Sequence, residues 1–266
     1  MEKINRWFAM HSVALLLLAC SVIGCLGGYL MLLDVTPWIV YPLIVLAVNC
    51  AVRCISRASV RLLKKPLAQL HHDCDPYPIL DEIKLQQSYP GNERVKQIRI
   101  INYATALREI GEYEKARMLM ESINVDKCAN MPMVFKVIYY NNRMDLCVLT
   151  GKTQEALIWY GKAMQIYHDM KPGKAKTQLN SSLEINRALH HFCNGDYSQT
   201  LRILEMVEPK HLQEKIEINM LSARTYLAMG ELEQARNRLR YVAQNGNKLY
   251  FATEARALLE KINMEA

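Results

Sequence analysis

From Trp7 to Leu33 the chain carries no Asp, Glu, Lys or Arg, and after Asp34 a second uncharged run extends from Val35 to Val52. A helix needs about 20 apolar residues to cross the hydrocarbon core of a bilayer, so each run is close to or above that length. The runs are joined only by about Asp34 to Pro37, where Asp34, Thr36 and Pro37 suit a turn. So short a connection forces two antiparallel helices, expected at about residues 7–33 and 36–55, and a membrane module over 1–57.

Lys3 and Arg6 before the first run resemble the charged start of a signal peptide, and Val22-Ile23-Gly24-Cys25 resembles a lipobox. An acylated cysteine should precede a polar tether, whereas Leu26 to Leu33 stay apolar and a second run follows at once, so a retained anchor is expected. Arg53, Arg57, Arg61, Lys64 and Lys65 follow the second run with no acidic residue among them. With Lys3 and Arg6 at the other end, the positive-inside bias places both termini in the cytoplasm, making this an integral membrane protein with two spans. The net charge of +7 draws partly on that basic stretch, where attraction to anionic headgroups explains it. No basic stripe interleaved with aromatics occurs elsewhere, so nucleic acid is not an expected partner.

Within the runs, Gly24 and Gly28 on the first helix and Ala47 and Ala51 on the second offer smooth faces for helix packing. They suit the hairpin itself or a homo- or hetero-oligomer formed through it. Ser21 and Asn49 fall at similar depths and could bond to each other, and His11 reaches the interface. Of the eight cysteines, four lie in or beside the membrane runs and four are scattered beyond them, which is no disulfide framework.

Pro66, Pro76, Pro78 and Pro90 mark residues 58–93 as a basic juxtamembrane segment and linker, with a short helix at about Ile79 to Gln87. Over 94–266 helical periodicity takes over, and one pattern recurs. Gly111, Gly151, Gly195 and Gly230 each end one apolar helical segment and open another. Seven residues before them stand Ala104, Met144, Ala188 and Ala223, and five after stand Ala116, Ala156, Thr200 and Ala235. Nine residues before the first three stand Asn102, Asn142 and Asn186.

This register resembles the tetratricopeptide repeat family, with Thr153 and Thr200 departing from its aromatic and small positions. The resemblance implies an all-α protein: after the transmembrane hairpin, an α-solenoid of about four helix pairs, closed by a capping helix at about Lys248 to Ile262. Glycine intervals longer than the family's usual repeat suggest extra loop at Asp126 to Pro132 and Lys171 to Lys176.

No catalytic motif is present, so neither an enzyme nor a cofactor is expected. His71-His72-Asp73-Cys74 and His190-His191-Phe192-Cys193 both read His-His-x-Cys, but adjacent side chains on a helix diverge by about 100°, so a core His191 with an exposed neighbour is favoured over a metal site. In the family resembled, the first helix of each pair lines a partner-binding groove. Carried onto this chain, its residues are Ile101, Thr105 and Arg108, then Asn141 and Asp145, then Ile185, Leu189 and Phe192, then Met220 and Arg224. Ile101 and Thr105 replace what a carboxylate clamp would need. The expectation is a membrane-anchored adaptor or scaffold whose groove takes a cytoplasmic peptide or helix. The alternative is a structural subunit of a membrane complex, held through its hairpin.

Overall fold

A computed structural model describes residues 2–33 and 37–264, with side chains at 51–60, Glu2, Val13 and Pro37 left aside. The protein is all-helical, and no strand occurs among the described residues. The expected turn at Asp34 to Thr36, and the side chains of Ala51, Arg53 and Arg57, lie outside the description.

The N-terminal part departs from the sequence reading. The first run is not one helix from residue 7: α1 (Glu2–Met10) ends at His11, and α2 (Ser12–Leu32) starts afresh. Ala14–Leu32 in α2 is long and apolar enough to cross a membrane, whereas the apolar part of the next helix, Trp38–Cys50, is shorter. That helix, α3 (Pro37–Asp73), continues through Pro66 into the expected linker. Proline removes one helical hydrogen bond, but Leu62, Leu70 and Cys74 are buried at four-residue multiples along one side and hold the segment in place. α4 (Tyr77–Gln86) follows close to where a short helix was expected.

α2 packs on α3 through Gly27, where a β-carbon would come within 2.5 Å of Ile44 Cδ1 and 3.6 Å of Val40 Cγ1. Gly24 and Gly28 have nothing within 4 Å, and Ala47 is exposed, so the expected packing faces point elsewhere. The periodicity predicted a smooth stripe without fixing which side of it met the neighbour. Ser21 and Asn49 do not bond to each other; their side chains donate to Leu17 O and Val45 O of their own helices, each at 2.9 Å.

Beyond the linker come α5 (Glu93–Glu109), α6 (Tyr113–Glu121), α7 (Met133–Leu149), α8 (Thr153–Asp169), α9 (Lys174–Cys193), α10 (Tyr197–Met206), α11 (Leu212–Met229), α12 (Leu232–Asn245) and α13 (Tyr250–Met264). The four glycines join α5 to α6, α7 to α8, α9 to α10 and α11 to α12, all with φ between 76° and 83°. Each turn is closed by the same two bonds. The glycine N–H donates three residues back, as Gly230 does to Leu227 O, and the next N–H donates five residues back, as Glu231 does to Tyr226 O. Positive φ is nearly free for glycine and strained for any residue with a β-carbon.

Seven residues before and five after each glycine the side chain is wholly buried: Ala104 and Ala116, Met144 and Ala156, Ala188 and Thr200, Ala223 and Ala235 are all 0% exposed. The paired helices meet at these points, and small residues there allow close approach. Thr200 fits because its hydroxyl lies within hydrogen-bond distance of Ala188 O across the seam (3.3 Å) and of Asp196 O (2.9 Å).

The extra sequence length is used in two ways. Residues 122–132 form a long connection, while the second expected loop shrinks because α9 starts within it, at Lys174. Val137, Met170, Leu179 and Leu183 bury one another there, which favours added helix over loop.

Successive first helices touch in the order α5, α7, α9, α11, and α13 touches α11. The series curls far enough for its ends to meet. Arg108 of α5 reaches Glu217 of α11 at 2.7 Å, and Tyr250 of α13 meets Tyr113 of α6 edge-on at 5.4 Å, its ring filling the space above Gly111. The linker seals the junction: Leu70, Cys74, Ile79 and Ile83 share a core with Ala106, Ile216 and Met220. Asn247 Nδ2 donates to Asp73 O at 2.7 Å, and Lys248 pairs with Asp75 at 2.6 Å.

Candidate functional site

Where the first helices converge they enclose a cavity of about 190 Å³. Seven of the ten residues expected in a groove line it: Arg108, Asn141, Asp145, Ile185, Leu189, Met220 and Arg224. Three do not. Ile101 is fully buried in the core shared by α5, α6 and α7. Thr105 links helices instead, its hydroxyl accepting from Asn142 Nδ2 at 2.7 Å and donating to Ile101 O at 2.9 Å. Phe192 packs on a neighbouring core with its ring 5.8 Å from that of Tyr197.

The cavity also contains residues that the expected register missed. Ile138, Ser182 and Glu217 line it, each thirteen residues before its glycine and one helical turn ahead of the expected positions. Asn142 and Asn186, two of the recurring asparagines, line it as well. Extending the three-and-four spacing back by one turn would have found the first set.

An ion network occupies one wall. Arg108 bonds to Glu109 Oε1 at 2.6 Å, to Glu217 Oε1 at 2.7 Å and to Asp145 Oδ2, using its whole guanidinium fork. Its charge is held well above the usual arginine range by these carboxylates, against the opposing effect of burial. Opposite, Arg224 forms a bidentate pair with Glu254 of α13 (2.7 and 2.8 Å) and lies 5.4 Å from the Phe251 ring. Two guanidinium groups therefore face four carboxylates. Burial raises the Asp145 carboxyl above its ordinary range and pushes Glu217 up to about 8, with Arg108 opposing both shifts. Asn141 is 6% exposed, and its Oδ1 accepts no hydrogen bond among the described residues.

Neither His-His-x-Cys sequence gathers metal ligands, and no group of three or more His, Cys, Asp or Glu suited to a metal occurs among the described residues. The His71 ring stacks on His211 at 3.9 Å, and His190 stacks on Tyr160 at 4.5 Å. His191 is not a core residue: its side chain is 30% exposed and its Nδ1 lies 3.2 Å from Asp196 Oδ2. Of the basic residues after the second run, Arg61, Lys64 and Lys65 are exposed on α3. At the other end of the chain α1 buries Ala9 against Leu62 and Tyr89, pairs Arg6 with Glu82 at 2.8 Å, and exposes Ile4, Trp7, Phe8 and Met10.

No family model, curated protein or solved structure matches this chain.

Proposed function

We infer that this chain is a non-enzymatic adaptor, anchored in a membrane and presenting a tetratricopeptide-like array to a cytoplasmic protein or peptide. The observation that carries this reading is the convergence of α5, α7, α9 and α11 on one cavity with both apolar and polar walls. Four glycine turns in one register support the family resemblance, and the repeated burial on either side of each supports a solenoid built from equivalent pairs.

In this reading α2 crosses the bilayer and the uncharged start of α3 returns through it, leaving both termini and Arg61, Lys64 and Lys65 inside. α1 lies along the cytoplasmic interface with Trp7 and Phe8 at headgroup level, as amphipathic aromatic-bearing helices do. Its contacts with α3 and Glu82 hold the array close to the membrane.

A photo-crosslinking residue placed at Leu189 in the full-length chain tests this in intact cells, with Met206, an exposed residue on α10, as control. Covalent capture of a distinct protein from Leu189 alone is the expected result. Identical products from both positions, or none from Leu189, count against the reading.

A second reading has support of its own. Gly24 and Gly28 face open space on α2, leaving a smooth apolar surface for another transmembrane helix, as in a subunit of a membrane complex. Replacing both with leucine separates the two: an adaptor keeps its soluble partner, whereas a subunit leaves its complex.

A further inference from the structure

We propose that the central cavity binds the side chain of an arginine or lysine carried by an extended segment of the partner protein. Asn141 Oδ1, Asp145 and Glu217 would accept its N–H groups, and Ile185, Leu189, Met220 and Phe251 would receive apolar neighbours. The inference rests on the adaptor reading and specifies what the adaptor recognises.

Two independent observations converge. The first is charge: Arg108 and Arg224 pair with Glu109, Asp145, Glu217 and Glu254, of which Asp145 and Glu217 line the cavity, so carboxyl groups outnumber guanidinium groups and one negative charge is left over while Glu217 holds its proton. A buried carboxylate without a matching cation is costly, and a cation from outside would offset that cost. The second is the Asn141 side-chain oxygen, nine-tenths buried, lining the cavity and accepting no hydrogen bond. A buried acceptor left unpaired needs a donor, and guanidinium and ammonium groups carry donors only. Neither observation would favour an acidic or carboxylate-terminated ligand.

The site also predicts a pH dependence. Glu217 is faced by Arg108 and Glu109 from α5, by Asp145 from α7, by Cys74 just after α3 and by Glu214 of its own helix. With its carboxyl pushed up to about 8, Glu217 holds a proton at neutral pH. An incoming cation favours the ionised form, so binding releases that proton and tightens as pH rises towards 9.

The test uses the full-length protein in detergent micelles and a library of nine-residue peptides, with arginine, lysine, citrulline or glutamate fixed at the centre and leucine, methionine or serine elsewhere. Citrulline keeps the shape of arginine without its charge. Arginine peptides should bind at least tenfold more tightly than their citrulline counterparts, and the difference should grow between pH 6 and pH 9. The D145N/E217Q double variant should abolish that preference. Asn141→Ala, which leaves every ion pair in place, should weaken arginine binding about threefold to tenfold, with unchanged helical circular dichroism excluding misfolding.

Equal affinity for arginine and citrulline peptides overturns the cation site while leaving the adaptor reading intact. Binding of agmatine, a free guanidinium compound, without binding of any peptide overturns the peptide source and counts against the adaptor as well. No binding by any probe overturns both.

Discussion

The seams between paired helices and the cavity between successive pairs are built from the same four repeats, yet they treat sequence in opposite ways. At the seams the copies agree: the turn glycines share one backbone conformation, and seven of the eight flanking positions hold alanine or another apolar residue, while the hydroxyl of the eighth, Thr200, lies within hydrogen-bond distance of Ala188 O across the contact. At the cavity the copies differ, with Ile138, Ser182 and Glu217 at one register position and Asp145, Leu189 and Arg224 at another. Equivalence holds the helices together, because each pair must solve the same packing problem. Difference gives the cavity walls of unlike chemistry.

Breaking the cavity at its electrostatic centre should have the largest effect. Arg108→Met removes the cation that touches Glu109, Asp145 and Glu217 together, leaving three carboxylates without it. Removal of one partner from a buried ionic network costs about 3–5 kcal/mol. Urea unfolding of the full chain in detergent should show that loss at pH 7.5. Lowering the pH to about 5 should restore part of it, because Asp145 and Glu217 take up protons more readily when burial opposes their charge.

The seam side of the comparison is sharpened by two substitutions that are equivalent in the sequence but not in space. Gly111→Ala and Gly151→Ala both place a β-carbon at positive φ, worth about 1–2 kcal/mol of strain. At Gly111 the added atom would also lie 2.3 Å from the Tyr250 ring, whereas at Gly151 nothing lies within 4 Å. Gly111→Ala should therefore destabilise the fold by clearly more, about 3 kcal/mol in all, and lower the melting temperature further than Gly151→Ala. Equal effects would mean that α13 does not close onto the first pair.

That contrast also indicates what could be read from sequence. Gly111, Ala104 and Ala116 could be found because the same residue types return at fixed spacing, and burial of each seam depends only on its own pair. Curling of the series could not be found in this way. Ile101 and Thr105 were expected to face a groove, but they are taken up by contacts with the neighbouring helices α6 and α7, whereas the meeting of α5 and α11 at Arg108 and Glu217 is a relation between the first and last copies that no local spacing encodes. Glu217 escaped notice because the repeated pattern was followed for two turns rather than three. The break at His11 and the continuation of α3 through Pro66 were obscured for another reason. Apolar runs and prolines set only a preference, and packing of Ala9, Leu62 and Leu70 decided the outcome.

A titration probes the cavity without touching its shape. Glu217 has a folded value of about 8 against 4.5 in the unfolded chain, so the folded state binds more protons between those limits. Stability from this group is fully present below the unfolded value and falls as pH rises through the folded one. Between pH 5 and 8.5 the loss should be on the order of 1–2 kcal/mol, once partial solvent access is allowed for. Glu217→Gln should flatten the slope. His71 works in the other direction, since burial against His211 lowers it to about 4, and its contribution is lost only below the ordinary histidine range. The two effects have opposite signs and overlap between about pH 4.5 and 6.5, so the slope above the ordinary histidine range reports Glu217 without His71.

The smallest expected effect concerns Thr200, the one seam position where a hydroxyl replaces alanine. Its oxygen lies 2.9 Å from Asp196 O and 3.3 Å from Ala188 O, so no buried polar atom is left unpaired. Thr200→Ala deletes a methyl and a hydroxyl but restores the residue found at Ala116, Ala156 and Ala235. The lost contacts and the closer approach allowed to α9 act in opposite directions, and the net change should stay within about 1 kcal/mol. Thr200→Leu should cost about 1–3 kcal/mol, because the added atoms must displace the α9 backbone at Ala188. If leucine were tolerated as well as alanine, α9 and α10 would not be in the close contact that makes the third copy equivalent to the others, and the agreement among the seams would reduce to a likeness of sequence.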